Sequence, residues 1–239
     1  MSRPARAHSG FRSNPAAANS EAVEDYAKAI HSLAGAAGEA VGTSALAERL
    51  GVSPGTVTAM LKRMASMGLV EHEPYRGVRL TAAGERIALE VIRHHRLLES
   101  YLAEALGMPW DRVHDEAEVL EHYISEELEE RIATALGNPT HDPHGDPIPD
   151  QGLALVDEAT RPLAELEVGE RGVFARVSDS APEMLRYLAE RGIAPGDRLE
   201  VVERQPFGGP LSVRFGSGTH AIGGGLAEAM RVDVSGAGG

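Results

Sequence analysis

The sequence predicts an α+β chain built from an N-terminal winged helix-turn-helix, a helical middle part and a C-terminal small β-barrel. Helical periodicity and cap residues divide the first part into short helices that are followed by two strands. The middle part carries apolar residues at helical spacing over two long stretches, and a proline-rich loop ends it. Short strands separated by glycine-rich turns fill the last part, which is typical of small barrels.

The chain begins with a segment, residues 1–20, that has basic residues but no apolar core. We therefore expect a flexible tail and not a secretory signal. Residues 21–35 follow, and they place apolar side chains such as Val23, Tyr26 and Ile30 at helical spacing. This spacing predicts the first helix.

Two further helices are predicted around a tight turn. Thr43 and Ser44 are expected to cap a short helix that ends at Gly51. Ser53 is the next predicted N-cap, and Pro54 takes the first position of the second helix. Two helices joined by a glycine-containing turn form a helix-turn-helix.

The segment from Leu69 to Thr81 reads as strand, turn and strand, which completes a winged helix. In such a module the second helix of the pair enters the major groove, and the wing reaches the backbone or the minor groove. A purely structural three-helix unit is the alternative, but the basic side chains of this part favour DNA binding. The predicted DNA-binding residues are Ser53, Pro54, Thr56, Thr58, Lys62, Arg63 and Arg76.

The middle part predicts a metal site. One helix is expected over Ala82–Glu104 and a second over Asp111–Leu136. Positions 114, 118, 121 and 122 fall on one face of the second helix, and carboxylates on a half-buried face need a cation. A single His–Glu pair is more often a solvated surface pair. The candidate ligands are His95, Glu99, His114, Glu118, Glu121 and His122.

The proline-rich loop from Asn138 to Pro149 marks a boundary, and residues 150–162 are expected to be a linker. After it, strands are predicted at Leu163–Val177, Arg198–Gln205, Leu211–Phe215, His220–Ile222 and Met230–Val234, with one helix at Pro182–Arg191. The remaining histidines lack partners at ligand spacing and are expected to be ordinary surface or loop residues: His31, His72, His94, His141, His144 and His220.

Composition limits the function classes. The chain of 239 residues has 42% hydrophobic residues and lacks an apolar run of roughly 18 residues, so we expect no membrane helix. It has no cysteine, which excludes disulfides and thiolate ligands and fits a cytoplasmic protein. Residues 1–80 hold nine Lys/Arg against seven Asp/Glu, whereas the remainder holds 14 against 29. This asymmetry is typical of a DNA-facing head on an acidic, cation-binding body.

Over residues 21–235 the sequence resembles the diphtheria toxin repressor family of metal-dependent transcriptional regulators. The segments that carry the resemblance are Glu24-Asp25-Tyr26, His95-Arg-Leu-Leu-Glu99, Gly107-Met-Pro-Trp110, His114-Asp-Glu-Ala-Glu118 with Glu121-His122, and Asn138-Pro-Thr with Gly145-Asp-Pro-Ile-Pro149. The resemblance implies a DNA-binding domain at 21–81, a helical dimerisation and metal-binding domain at 82–149, and an SH3-like domain at 163–235.

The resemblance also implies two metal sites. The family's primary site matches Asp25, Glu118, Glu121 and His122, and its ancillary site matches His95, Glu99 and His114. Further ancillary ligands come from the SH3-like domain, where Asp179 and Glu183 are the candidates. The alternative for that pair is a turn residue and a solvated residue that faces a helix dipole. A metal shared between the first helix and the metal-binding helix would select the DNA-binding arrangement of the dimer.

Manganese is the expected ion, with Fe²⁺ as the alternative. Iron-responsive members of the family place Met and Cys at the positions of Asp25 and Glu118, whereas the manganese branch has Asp and Glu there. Carboxylates in place of sulfur favour hard cations such as Mn²⁺. The chain departs from the two-domain manganese regulators at Lys28, where they have Glu, and in having a third domain. We therefore expect a hybrid site, with the second metal built around His95, Glu99 and His114.

The sequence as a whole predicts a cytoplasmic, homodimeric repressor that binds a palindromic double-stranded operator when it is loaded with Mn²⁺. We expect no membrane partner, no small organic substrate and no enzymatic activity. A metallohydrolase could use the same ligands around a metal-bound water, but it would leave the winged helix unexplained. A metal-free regulator that senses an organic ligand is the third possibility.

Overall fold

The computed structural model describes residues 15–35, 37–73, 76–156, 159–178 and 181–235. Contacts divide the chain into two compact units, one that ends at Ala88 and one that begins at Leu89.

The first unit is a winged helix-turn-helix, as predicted. Its helices are α1 (Pro15–Ala34), α2 (Thr43–Arg49) and α3 (Pro54–Ser66), and its hairpin consists of β1 (Val70–Glu73) and β2 (Gly77–Leu80). The two strands are antiparallel, and Val41 forms an isolated bridge to Val78 beside them. The core contains the fully buried side chains of Ile30, Leu46, Leu61 and Met64. Burial of these apolar groups holds the three helices against the wing.

The N-termini of the three helices in this unit agree with the sequence prediction to different degrees. Ser53 caps α3 as predicted, because its Oγ accepts a hydrogen bond of 3.1 Å from the Thr56 amide. The predicted cap of α2 is wrong, because Gly42 is the N-cap and Thr43 and Ser44 already lie inside the helix. Helix α1 begins at Pro15, within the segment 1–20 that the sequence assigns to a tail.

The middle part contains three helices where the sequence predicts two. Helix α4 (Ala82–Glu104) has the predicted bounds. The single helix predicted over Asp111–Leu136 is wrong, because α5 (Val113–Leu120) and α6 (Glu126–Ala135) are separate. Ser125 causes the restart: it is extended, its Oγ accepts from the Leu128 amide at 3.3 Å, and glutamates fill the first turn after it.

The loop that follows α6 is ordered by its own hydrogen bonds. Asp142 Oδ1 accepts from the amides of His144 at 2.8 Å and Asp146 at 2.9 Å. The loop also packs on strand β4 (Arg171–Val177), whose Val177 amide donates to the His144 carbonyl at 3.0 Å. Gly145 has φ +89°, and a Cβ there would overlap the Ala175 carbonyl oxygen. Only glycine fits this close approach of two backbones.

The C-terminal part contains β4 and five further strands, β3 (Arg161–Pro162), β5 (Arg198–Arg204), β6 (Leu211–Phe215), β7 (Gly218–Ile222) and β8 (Met230–Asp233), and the helices α7 (Pro182–Ala189) and α8 (Gly224–Ala229). The six strands form an antiparallel sheet in the order β3-β8-β4-β5-β6-β7. The strand predicted over Leu163–Val177 begins later, since Leu163–Glu165 form a 3-10 turn. Helix α8 was not predicted. No helix among the described residues combines the length and hydropathy that crossing a membrane requires.

Candidate metal centre

Most of the predicted metal ligands lie in the second unit. His95 and Glu99 are one turn apart on α4, and His114 and Glu118 are one turn apart on α5. Glu121 and His122 follow the end of α5 directly. Asp25 lies on α1, in the first unit.

His95 is the centre of the first cluster. Its imidazole is buried, and its Nδ1 lies 2.5 Å from Glu121 Oε2 and 3.9 Å from Glu118 Oε1. Its Nε2 lies 3.1 Å from Glu99 Oε1 and 3.2 Å from His114 Nδ1. His95, His114 and Glu118 each offer one potential ligand atom within 4.8 Å of the others. Imidazoles and carboxylates from α4 and α5 therefore meet around one point.

The break after α5 brings Glu121 into this cluster. Glu121 is the C-cap of α5, and its side chain is completely buried against His95. His122 Nε2 lies 3.6 Å from Glu121 Oε1. The prediction that 114, 118, 121 and 122 share a single helical face is wrong in this detail, because the helix ends before 121. The contact of Glu121 with His95 joins the two metal sites that the sequence treats as separate.

A second cluster forms around Glu99, a candidate ligand whose partners the sequence did not predict completely. Glu99, Asp142 and His144 are all buried, and each offers a ligand atom within 4.8 Å of the other two. Glu99 Oε1 lies 3.4 Å from His114 Nδ1, and its Oε2 lies 3.6 Å from His144 Nδ1. Burial alone would raise the pKa of Glu99, but the neighbouring imidazoles of His114, His144 and His95 hold it well below its usual value.

His144 contradicts its prediction as an ordinary loop residue. It is completely buried, its ring stacks on Trp110, and its Nε2 lies 2.8 Å from the Trp110 carbonyl oxygen. A carbonyl only accepts, so Nε2 carries a hydrogen, and Nδ1 is the nitrogen that loses its proton when the ring becomes neutral. His144 Nδ1 is buried and has no hydrogen-bond partner. Histidines that bind metals commonly donate one ring N–H to a carbonyl, which fixes the ring and leaves the other nitrogen for the metal. His144 has this arrangement.

The protonation of the second cluster reflects its burial and its charges. Burial raises the pKa of Asp142 to about 8, and the negative charge of Glu99 adds to that effect. Burial lowers the pKa of His144, but the Glu99 carboxylate outweighs burial and raises it to about 9. A divalent cation bound here would replace protons and neutralise the carboxylates.

Two other histidines also have carboxylate partners, contrary to prediction. His31 Nδ1 lies 2.8 Å from Glu85 Oε1 in the first unit. His94 is buried, with Nε2 at 3.0 Å from Glu129 Oε2 and Nδ1 at 3.2 Å from the Glu121 carbonyl oxygen. Burial lowers the pKa of His94, but Glu129 outweighs burial and the pKa lies above its usual value. His94 therefore supports the backbone that carries Glu121.

The donor chemistry fits a divalent cation. Both clusters offer only imidazole nitrogens and carboxylate oxygens as ligand atoms, and the chain has no cysteine. His144 Nδ1 is a buried ligand atom that has no hydrogen-bond partner. Such oxygen-rich sets suit hard or borderline cations. The sequence did not identify Asp142 and His144 because they lie in a loop that only its prolines make conspicuous. The sequence feature that could have identified them is the spacing of Asp142 and His144, two residues apart in a loop whose prolines make it too rigid for a simple linker.

The ligands predicted from the C-terminal part are not among these clusters. Asp179 lies outside the described residues. Glu183 is exposed in the first turn of α7, and it belongs to no group of three potential ligands within the described part of the chain.

The predicted DNA-binding residues lie on α3 and the wing. Ser53 and Pro54 begin α3, and Thr56 Oγ1 lies 2.8 Å from Ser53 Oγ. Thr58 Oγ1 donates to the Pro54 carbonyl at 2.9 Å. Lys62 and Arg63 are exposed on α3, and Arg76 is exposed where the wing turns.

Family models match three successive parts of the chain. Residues 19–78 match the iron-dependent repressor N-terminal DNA-binding domain, and residues 81–150 match the iron-dependent repressor metal-binding and dimerisation domain. Residues 161–234 match the FeoA domain.

Individual proteins match over most of the chain or over about half of it. The iron-dependent repressor IdeR of Mycobacterium tuberculosis is 34% identical over 203 residues, which cover 79% of this chain and 86% of that protein. The transcriptional regulator MntR of Escherichia coli O157:H7 is 44% identical over 118 residues, which cover 49% of this chain and 75% of that protein. A solved manganese-dependent transcriptional repressor in complex with manganese is 43% identical with a TM-score of 0.82, covering 89% of this chain and 99% of that chain.

Proposed function

The chain belongs to the diphtheria toxin repressor family of metal-dependent transcriptional regulators, and on that premise we propose that it is a manganese-dependent repressor. It binds a palindromic operator as a homodimer in the cytoplasm. The observation that supports this most directly is the contact of His95 with Glu118 and Glu121. These side chains are typical metal ligands, and none of them contains sulfur. The proposal assigns no catalytic reaction to the chain.

The first metal site of the proposal consists of Glu118, Glu121 and His122, with His95 beside them. Asp25 is included on the family resemblance, as the ligand from the DNA-binding unit. When bound, the ion supplies positive charge that these carboxylates need. The chain's own contribution is the orientation of Glu121, whose backbone carbonyl lies 3.2 Å from His94 Nδ1. Ligands that are held in place before binding lose less entropy when the ion arrives.

The second metal site of the proposal is Glu99 with Asp142 and His144. His144 is oriented by the Trp110 carbonyl, and Asp142 is oriented by the amides of its own loop. His114 contacts Glu99 and Glu118, so it lies beside both sites. That Asp179 and Glu183 add ligands to this site stays a prediction of the family resemblance. Glu183 is exposed on α7.

Manganese is favoured over iron by the donors and by the relatives. Sulfur donors would raise affinity for softer ions, and this chain has a carboxylate at position 118 and no cysteine anywhere. The repressor structure with a TM-score of 0.82 carries manganese by its description. The matching IdeR proteins are described as iron-dependent, so an iron-dependent regulator is the second candidate.

The exposed apolar surface of α5 and α6 supports a homodimer. Val119 and Tyr123 are each 62% exposed, and Leu120 and Leu128 are exposed near them in the chain. Clusters of large exposed apolar residues mark interaction surfaces. The family model that covers residues 81–150 includes dimerisation in its description. We infer that a second copy of this chain covers these side chains.

The proposal is tested by removing one central ligand. A fluorescent duplex is first selected from a random pool with the protein and a mixture of Mn²⁺, Fe²⁺, Zn²⁺ and Co²⁺. Binding is then titrated with Mn²⁺ for the wild type and for Glu121→Gln. Loss of an outer-shell partner weakens metal binding roughly 10–100-fold, so loss of this ligand is expected to require more than about 100-fold more Mn²⁺.

Glu116→Gln is the matched control, because Glu116 is an exposed residue of α5 outside both clusters. It is expected to need the wild-type concentration of Mn²⁺. If Glu121→Gln also needs that concentration, this cluster is not the metal switch.

A further inference from the structure

A buried carboxylate of α6 is not among the residues assigned to either metal site. Glu129 is 9% exposed, and each of its oxygens has its own partner on α4. Its Oε2 lies 3.0 Å from His94 Nε2, and its Oε1 accepts a hydrogen bond from Arg93 Nε. Arg93 and His94 are themselves buried. Buried charged groups are costly unless they are paired and hydrogen-bonded, so both of these side chains depend on Glu129.

One of these contacts leads to the first metal site. His94 Nδ1 lies 3.2 Å from the backbone carbonyl oxygen of Glu121. This carbonyl and the Glu129 carboxylate both accept, so His94 with a hydrogen on each ring nitrogen donates to both. Glu121 is the C-cap of α5, and the last carbonyls of a helix have no partner within it. The backbone position of Glu121 therefore depends on His94, and the orientation of His94 depends on Glu129.

The other contact leads to the loop that carries the second metal site. Arg93 Nη1 donates to the Pro149 carbonyl, at the end of that loop, at 2.6 Å. The two arms of the loop are hydrogen-bonded to each other, for example from the Asp142 amide to the Asp146 carbonyl at 3.0 Å. A fixed end at Pro149 therefore also restricts the arm that carries Asp142.

We propose that Glu129 is a positioning residue for both metal sites. Through His94 it holds the backbone of Glu121. Through Arg93 it holds the end of the loop that carries the second site. The inference rests on the proposed function, because the ions that Glu129 would affect are those of that proposal. Loss of an outer-shell partner that orients metal ligands typically weakens metal binding about 10–100-fold.

The test measures Mn²⁺ binding to the full-length protein by equilibrium dialysis at buffered free Mn²⁺, followed by metal analysis. The number of ions per chain and the free concentration at half-saturation are compared between the wild type and Glu129→Gln. Glutamine keeps one oxygen and turns an amide NH2 to the other partner, so one of the two contacts is lost. We expect an unchanged number of ions and half-saturation at about 10–100-fold higher free Mn²⁺.

Two backgrounds show which site is affected. Glu121→Gln removes a ligand of the first site and His144→Gln removes a ligand of the second, so each should bind one ion fewer where the wild type is saturated. Adding Glu129→Gln to either should weaken the remaining ion by about 10–100-fold. If neither background loses an ion, the proposed function fails, and this inference fails with it. If both lose one ion but Glu129→Gln leaves the remaining affinity unchanged, only this inference is overturned.

A variant without the buried charges separates positioning from stability. Replacement of a buried ion pair by apolar residues of similar volume is often neutral or stabilising. Arg93→Met/Glu129→Met is therefore expected to melt, without metal, at a temperature no lower than that of Glu129→Gln. It lacks the contacts of both side chains, so its half-saturation should rise as in Glu129→Gln. Wild-type affinity in this variant would contradict the proposal, because the ion pair would then serve stability alone.

Glu127→Gln is the matched control, because Glu127 is exposed on α6 and pairs with Arg131 of the same helix. It removes the same charge, and it is expected to keep the wild-type number of ions and the wild-type half-saturation. An equal shift in the control would overturn the proposal, because the effect would then follow general surface charge. Loss of one ion from Glu129→Gln would overturn it as well, because Glu129 would then be a ligand.

Discussion

Single side chains in the second cluster titrate in a range that makes their ion binding depend on pH. Asp142 and His144 must both lose their protons to become ligands. Burial raises the pKa of Asp142 to about 8, and the Glu99 carboxylate, which outweighs burial, raises the pKa of His144 to about 9. Near neutral pH the metal-free site therefore holds protons that a metal ion must displace. Stability without metal and affinity for metal should change with pH in opposite directions.

The metal-free protein is expected to lose stability as pH rises from 6 to 9. The folded pKa of His144, about 9, lies above the usual histidine pKa of 6.5, so its contribution to stability is complete below pH 6.5 and is lost as pH rises to about 9. Asp142 acts in the same direction, since its contribution is complete below 3.8 and is lost as pH rises to about 8. Urea denaturation in a chelator measures this. Greater stability at pH 9 than at pH 6 would contradict these protonation states.

Binding of Mn²⁺ at this cluster should strengthen over the same interval. Calorimetry in buffers of different ionisation enthalpy measures the protons released, and up to two per ion are expected near pH 7. His144→Gln, which cannot hold the second proton, is the control and should release fewer. Equal release by the two proteins would place the titrating groups elsewhere.

Among the elements, the break between α5 and α6 decides the geometry of the metal centre. The sequence predicted α4 with its observed bounds because its apolar spacing is regular from Ala82 to Glu104. It did not predict the break, because residues on both sides of Ser125 continue to fit a helical pattern. Ser125 followed by glutamates is an N-terminal signal, and the local cap prevailed over the periodicity.

The second cluster was less predictable, because its residues meet only through long-range packing. Glu99 lies on α4, whereas Asp142 and His144 lie in a loop more than 40 positions later in the sequence. No spacing rule connects them. The loop takes its position from the hydrogen bonds around Asp142 and from its contact with β4. The contact with β4 requires that the C-terminal sheet is folded. Local sequence patterns therefore predicted α4 and the residues that meet around His95, whereas only tertiary contacts bring Asp142 and His144 to Glu99.

The start of α4 gives a prediction about packing. A Cβ at Gly84 would overlap the Leu69 carbonyl oxygen and would lie 3.0 Å from Leu80 Cδ2. Gly84→Ala is therefore expected to destabilise the first unit by about 1–3 kcal/mol, as overpacking does. In Gly55→Ala the nearest atom would be Ser53 Oγ at 3.7 Å, so the helix propensity of alanine should stabilise by up to about 1 kcal/mol.

Urea denaturation of both full-length variants, compared with the wild type, measures the two effects. Both glycines lie in helices, so propensity alone predicts the same sign for both substitutions. Stabilisation by Gly84→Ala would show that α4 does not approach Leu69 as closely as described.

For the whole molecule, the uneven charge decides how it can meet DNA. The formal net charge is -13, yet the first 80 residues hold nine Lys/Arg against seven Asp/Glu. DNA would repel the acidic remainder, so the contacts must be confined to the winged helix. A limited set of phosphate contacts gives binding that depends measurably on salt.

Arg76 is expected to make one of these phosphate contacts. Arg76→Ala should weaken binding to all duplexes alike and make the slope of log K against log salt shallower by about one unit. Fluorescence anisotropy across a salt series measures the slope. Arg131→Ala is the control, because Arg131 pairs with Glu127 on α6 in the second unit, and its slope should match the wild type. An unchanged slope for Arg76→Ala would place Arg76 away from the DNA.

The measurement that tests the central claim most directly is an anaerobic titration of DNA binding at buffered free concentrations of Mn²⁺, Fe²⁺, Zn²⁺ and Co²⁺. The metal-free protein should bind the selected duplex weakly, because its DNA-binding units lack the ion that the family uses as a switch. Mn²⁺ should produce full affinity at a free concentration where Fe²⁺ does not, because the ligands contain carboxylates and no sulfur. Activation by Fe²⁺ at a lower free concentration than Mn²⁺, or affinity that no ion changes, would contradict the account.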